Sequence, residues 1–302
     1  MKIIENLLNR LVRKTSRYKA LWGGAEKIYR LNTFELQVVN TGSGSGMHDF
    51  NYDDLPLLGF NFALGPQSLL HDYNILKNYF SYLKKGCIVI IPICPFSGMI
   101  VKYSKEHNFK YYPMLHPATI ENFDEEERIR AYRFYYNPIK TINLTVLLNM
   151  VKDELYKIKG KLKCKSQNPS LQKSADDFIR GWKSQFSIDD LSLPISETHK
   201  ADINKRKKTL GDMLDFCKER EFRPVVVMPP MHYSLYQQFP ESFMQQYVNP
   251  LIEIVVDKGV EFIDYTKDER FSEDNFYSNA LFLNETGAKF FTKHLLSDLK
   301  II

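Results

Sequence analysis

The first β-branched run of the chain is followed by Asn40-Thr41-Gly42-Ser43-Gly44-Ser45-Gly46. Three glycines within five residues permit a tight turn with exposed backbone amides. A serine at the top of such a turn is placed as a nucleophile. If a helix follows, the amides around it form an oxyanion or anion site, which makes Gly42, Gly44 and Gly46 the candidate donors. The pattern is shared with turns that cradle phosphate and with turns that only reverse the chain.

Two other positions could join Ser43. Asn61, in Phe60-Asn61-Phe62-Ala63, could donate to a developing oxyanion, or could tie one loop to another. His232, in Pro229-Pro230-Met231-His232, stands just beyond an apolar run, where a general base would sit. His48, beside Asp49 in the Ser43 loop, is a secondary candidate. His71 falls on an apolar helical face and reads as packing.

These residues need a scaffold that brings the ends of several strands together. Apolar runs predict strands at 36–40, 57–63, 87–93, 224–228 and 260–265. Helical periodicity covers 68–83, 209–220, 240–258 and 284–299. The strands are continuous apolar runs rather than alternations, which predicts a parallel sheet buried on both faces. The expected class is therefore α/β, a flavodoxin-like three-layer fold, with ligands beyond the carboxyl ends of the strands.

The expected organisation is a single domain over 1–302, with an N-terminal amphipathic segment at 1–30 and a mainly helical insertion or cap at about 102–208. Lysines at 157, 159, 161, 163 and 165 form a ladder without an acid, read as a solvated face or an anionic docking strip. In residues 1–20, Ile3, Ile4, Leu7, Leu8, Leu11 and Val12 share one face and Lys2, Arg10, Arg13, Lys14 and Arg17 the other. Such a helix can lie on an anionic membrane or dock on the domain or a partner subunit.

Bulk composition supports a packed core: 44% hydrophobic and 25% charged residues. The net charge of +5 is a mild excess, and no nucleic-acid motif accompanies it, so no nucleic-acid partner is expected. Cys87, Cys94, Cys164 and Cys217 lack the spacing of metal ligands or a redox pair, and no metal or cofactor is implied. This cysteine usage, without an apolar stretch suited to export, leads to the expectation of a cytoplasmic protein that could associate with a membrane.

With these residues in hand, the chain resembles the SGNH/GDSL superfamily. Within it, the resemblance is to the branch of D-alanine transfer proteins and polysaccharide O-acetyl esterase-like proteins of bacterial surface-polymer gene clusters. Asn40-Thr41-Gly42-Ser43 looks like that branch's nucleophile turn, Phe60-Asn61-Phe62-Ala63 like its Asn-Phe-Ala strand end, and Pro229-Pro230-x-His232 like its Pro-Pro loop. Phe282-Leu283-Asn284-Glu285-Thr286-Gly287-Ala288 is similar to its terminal block. The resemblance adds Asn279 and Asn284 to the oxyanion and substrate-binding set. Active members carry Asp-x-x-His in the terminal block, and this chain has Asn279 and Phe282 at those positions. The third-strand Gly-x-Asn is also replaced, by Ile93-Cys94-Pro95-Phe96-Ser97.

Two functions follow from the resemblance. In the first, an esterase or acyltransferase acts on acyl groups of a surface polysaccharide or its precursor, with Ser43 as nucleophile and His232 as a relocated base. The alternative is a catalytically inactive SGNH-fold protein that binds a sugar, an acyl carrier or a partner protein in the same pathway. A flavodoxin-like phosphate binder is the weakest reading, because neither Gly-Lys-Ser/Thr nor Gly-x-Gly-x-x-Gly is present.

Overall fold

The structure, a computed structural model, describes residues 2–100, 108–160 and 170–302, with backbone alone at 158–160. Lys161, Lys163, Lys165 and Cys164 lie outside the described residues. The chain forms two compact units, one within 1–32 and 103–168 and one within 33–102 and 169–302. Helices Leu171–Phe186 and Glu197–Glu219, which sequence grouped largely with the insertion, belong to the second unit.

The second unit is α/β, built on five strands: β1 (Leu36–Asn40), β2 (Gly59–Asn61), β3 (Leu83–Pro92), β4 (Arg223–Met228) and β5 (Glu261–Asp264). Their order is β2-β1-β3-β4-β5, and every pairing is parallel. This is the doubly wound arrangement, whose order reverses between β1 and β3.

Alternation along the strands feeds two cores. Val38, Ile88, Ile90, Val225 and Val227 pack with Phe291, Leu295 and Leu296 of helix Glu285–Asp298. Val39, Val89, Ile91 and Val226 are fully buried on the opposite parity. Helix Glu197–Glu219 packs on β4 and against helices Leu69–Tyr79 and Asn249–Asp257. Each fully buried aliphatic side chain stabilises by about 1.5–3 kcal/mol, so the sheet needs little help from polar contacts.

Caps set where the helices begin. Ser170, Ser196 and Asn284 accept the N–H groups of Lys173, His199 and Gly287 at 3.2, 3.2 and 3.0 Å. The Ser196 cap starts its helix twelve residues before the predicted position. The added turns are charged and carry little periodicity, yet Arg206 is buried there between Ile203 and Leu210. The helix predicted over 240–258 forms over 241–257, with one irregular turn inside it. A π-turn at Met244–Val248 precedes Asn249–Asp257, with Pro250 in the first turn.

The first unit is helical. Helices Lys2–Lys14, Glu125–Tyr136 and Leu144–Gly160 belong to it. Tyr18, Trp22, Phe109, Phe134 and Tyr135 form its aromatic core. Among the described residues no helix is long and apolar enough to cross a membrane.

Candidate functional site

The turn after β1 has the shape that its glycines suggested. Gly42 takes φ +114°, a conformation that side chains rarely adopt, and Ser43 precedes the short helix Gly44–His48. Asn40 and Asn61 lock this turn from beneath. Asn40 Nδ2 donates to Gly46 O at 2.9 Å and to Asn61 Oδ1 at 3.0 Å, and Asn61 Nδ2 donates to Gly46 O at 2.8 Å. Of the two roles open to Asn61, the geometry matches the loop tie rather than the oxyanion donor: its amide is already engaged by the turn.

Asp72 holds the turn from the side. Its buried carboxylate accepts the Gly42 N–H at 2.7 Å and Gln67 Nε2 at 2.6 Å. The Gly42 amide therefore faces Asp72 and not a ligand. Gln67 N–H in turn donates to Ser43 Oγ at 3.1 Å. Sequence reading missed both residues. A signal was present for Asp72, an acid at helical spacing from Leu69, Ile75 and Leu76 on a buried face.

A pocket of about 390 Å³ opens over Ser43. Its walls come from the turn (Ser43–His48), from Pro92–Ser97 after β3, from Gly65-Pro66 after β2 and from the terminal block. It lies beyond the carboxyl ends of the strands, where the order reverses. Helix Leu171–Phe186 closes it with Phe178 and Trp182, one helical turn apart. An adjoining recess of about 180 Å³ reaches Gln67, Asp72 and Met99. Aromatic rings and hydroxyls on one concave surface suit a sugar ring or a short acyl group.

Phe282 covers the turn. Its ring stacks on His48 with centroids 4.8 Å apart and meets the edge of Phe178 at 5.8 Å. It lies so close to Gly44 that a Cβ there would stand 2.6 Å from Phe282 Cζ. Asn279 accepts the N–H groups of Leu281 and Phe282 at 3.0 and 2.9 Å and shapes the loop. Asn284 caps the last helix. Neither side chain lines the pocket.

His232 is not brought to Ser43. The ring is buried, with Nδ1 2.8 Å from Ser234 Oγ and Nε2 2.9 Å from Asp274 Oδ1. Nδ1 also caps the short helix Tyr233–Tyr236 through Ser234 N–H. This corrects the expected relocated base: both ring nitrogens are engaged elsewhere. Ser234, His232 and Asp274 do form a serine–histidine–aspartate chain, but its serine is buried, with Ser234 1% exposed.

The imidazole that shares the pocket with Ser43 is His48, whose pKa is lowered by partial desolvation. Among the described residues no imidazole hydrogen-bonds Ser43. Cys94 lines the same wall and accepts from Ser97 Oγ at 3.4 Å, and burial pushes its thiol up. Among the described residues, no three His, Cys, Asp or Glu side chains converge as metal ligands.

No family model and no curated protein matches the chain. A solved structure from Streptococcus pneumonia, provisionally described as a platelet activating factor, is similar at a TM-score of 0.44 and 9% identity, over 99% of this chain and 98% of that one. That likeness is too distant to carry an argument about function.

Proposed function

We propose that this chain is an SGNH-like protein whose Ser43 pocket binds a glycosyl or acyl group without hydrolysing it, as an accessory protein for a bacterial surface polysaccharide or its precursor. The observation that carries the reading is the ring of Phe282 lying on Gly44, where an active relative would need a base. A serine hydroxyl without a proton acceptor is a weak nucleophile, and losing a triad member costs several orders of magnitude in rate. The pocket itself is intact, and its Phe178–Trp182 wall offers the flat apolar surface that sugar rings stack on.

The test is titration with acetylated and unacetylated oligosaccharides, read by fluorescence in wild type and Trp182→Phe. Saturable quenching with no acetate released is the expected result, and its absence in Trp182→Phe assigns the signal to the ring that lines the pocket. Release of acetate at a rate abolished by Ser43→Ala would overturn the reading.

One observation favours esterase or acyltransferase chemistry as the second reading. His48 lines the Ser43 pocket, and desolvation there lowers its pKa. It could accept the Ser43 proton if a ligand displaced Phe282. In that case His48→Ala would abolish turnover and His232→Ala would not.

A further inference from the structure

Helix Lys2–Lys14 carries its apolar side outward. Ile3, Ile4, Leu7, Leu8 and Leu11 are 85, 64, 56, 41 and 53% exposed. Its polar side is what holds it to its unit. Asn9, buried, donates to Asn137 Oδ1 at 2.9 Å and accepts the Ile139 N–H at 2.9 Å. Glu5 pairs with Lys140 at 2.9 Å, and Arg13 pairs with Glu26 at 2.7 Å and donates to Tyr135 O at 2.9 Å. Rolling the helix to hide its leucines would break all of these bonds, so the outward face is fixed by the fold.

A basic cleft of about 640 Å³ borders that face. Arg10, Arg13, Lys14, Lys19, Lys27 and Arg30 line it, against the single acid Glu26, which Arg13 and Arg30 already share. Arg10 and Lys14 stand two helical turns beyond Ile3 and Leu7, at the margin between apolar face and cleft. The same unit exposes a second apolar stripe on helix Leu144–Gly160. Leu144, Leu148, Val151 and Leu155, spaced as one helical face, are 69, 60, 53 and 54% exposed.

We propose that this unit docks on an anionic lipid surface, with the Lys2–Lys14 leucines and isoleucines entering the acyl boundary and the basic cleft receiving lipid phosphates. Charge selects this occupant over a second copy of the chain. Residues 2–32 hold eight Lys and Arg against two acids. A self-association would set these like charges against each other, whereas an anionic bilayer neutralises them. The proposal does not depend on the reading of the Ser43 pocket.

Vesicle flotation of the full chain tests it, using phosphatidylcholine alone and phosphatidylcholine with about one-third phosphatidylglycerol. Wild type should float with the anionic vesicles and weaken as salt rises. Leu7→Glu with Leu11→Glu, both exposed and so compatible with folding, should weaken binding by at least about tenfold. Arg10→Glu with Lys14→Glu should do the same, since each basic residue at such a surface contributes about fivefold. Circular dichroism should show both variants folded. Absence of flotation, or equal flotation of the folded Leu7→Glu/Leu11→Glu variant, would overturn the proposal. A lipid-free dimer that this variant abolishes would overturn it too, by assigning the face to a second copy.

Discussion

Phe282 lies across Gly44, with Cζ 2.6 Å from where a Cβ at residue 44 would stand. The two residues are far apart in sequence, and each makes sense only with the other: an aromatic ring can cover the Ser43 turn because the turn offers it a glycine.

That pairing predicts a coupling. Gly44→Ala should destabilise by about 1–3 kcal/mol, because the Phe282 ring is held between His48 and Phe178 and cannot simply swing aside. In a Phe282→Ala background the same change should cost almost nothing, which a double-mutant cycle in urea would read. Equal costs in the two backgrounds would contradict the contact. Gly46→Ala should be worse than Gly44→Ala in either background, since its Cβ meets the immobile carbonyl of Thr41.

Asp49 predicts a pH dependence. Its buried carboxyl accepts the Leu283 N–H at 2.8 Å, and burial pushes its pKa well above the carboxylate range. The folded chain therefore holds this proton to a higher pH than the unfolded chain. The associated stability is full below the unfolded value of about 4 and is lost as pH rises through the folded value. Asp49→Asn keeps the acceptor and has no proton to lose. Its stability relative to wild type should rise in urea titrations as pH is raised above about 4, the unfolded value. A difference independent of pH would contradict this account.

His232 should behave as a structural residue. His232→Ala leaves Ser234 and the Tyr233–Tyr236 helix uncapped and should destabilise by about 1–3 kcal/mol. Oligosaccharide binding at the Ser43 pocket should be unchanged once the variant is folded. Loss of saturable quenching in the folded variant, which keeps Trp182, would show that His232 reaches the site after all.

The central strands were legible because they are buried on both faces, so Val38-Val39, Ile88–Ile91 and Val225–Val227 stand out as apolar runs with turn residues beyond them. The turn at Ser43 was legible for a similar reason, since only glycine suits φ +114° at residue 42. What spacing could not reveal was where side chains aim. His232 follows β4 as a base would, yet Ser234 and Asp274 hold its ring. Asn61 follows β2 as an oxyanion donor would, yet Asn40 and Gly46 engage its amide. The Phe178–Trp182 wall lay inside a stretch that composition assigned to a cap, because helix Leu171–Phe186 is charged on its outer side.

The most direct measurement is labelling with a fluorophosphonate probe of wild type, Ser43→Ala and the double variant Asn279→Asp with Phe282→His. The account predicts no labelling of folded wild type and labelling of the double variant that a further Ser43→Ala change removes. Labelling of wild type that disappears in Ser43→Ala would contradict it, because Ser43 would then be activated without an aspartate at residue 279 or a histidine at residue 282.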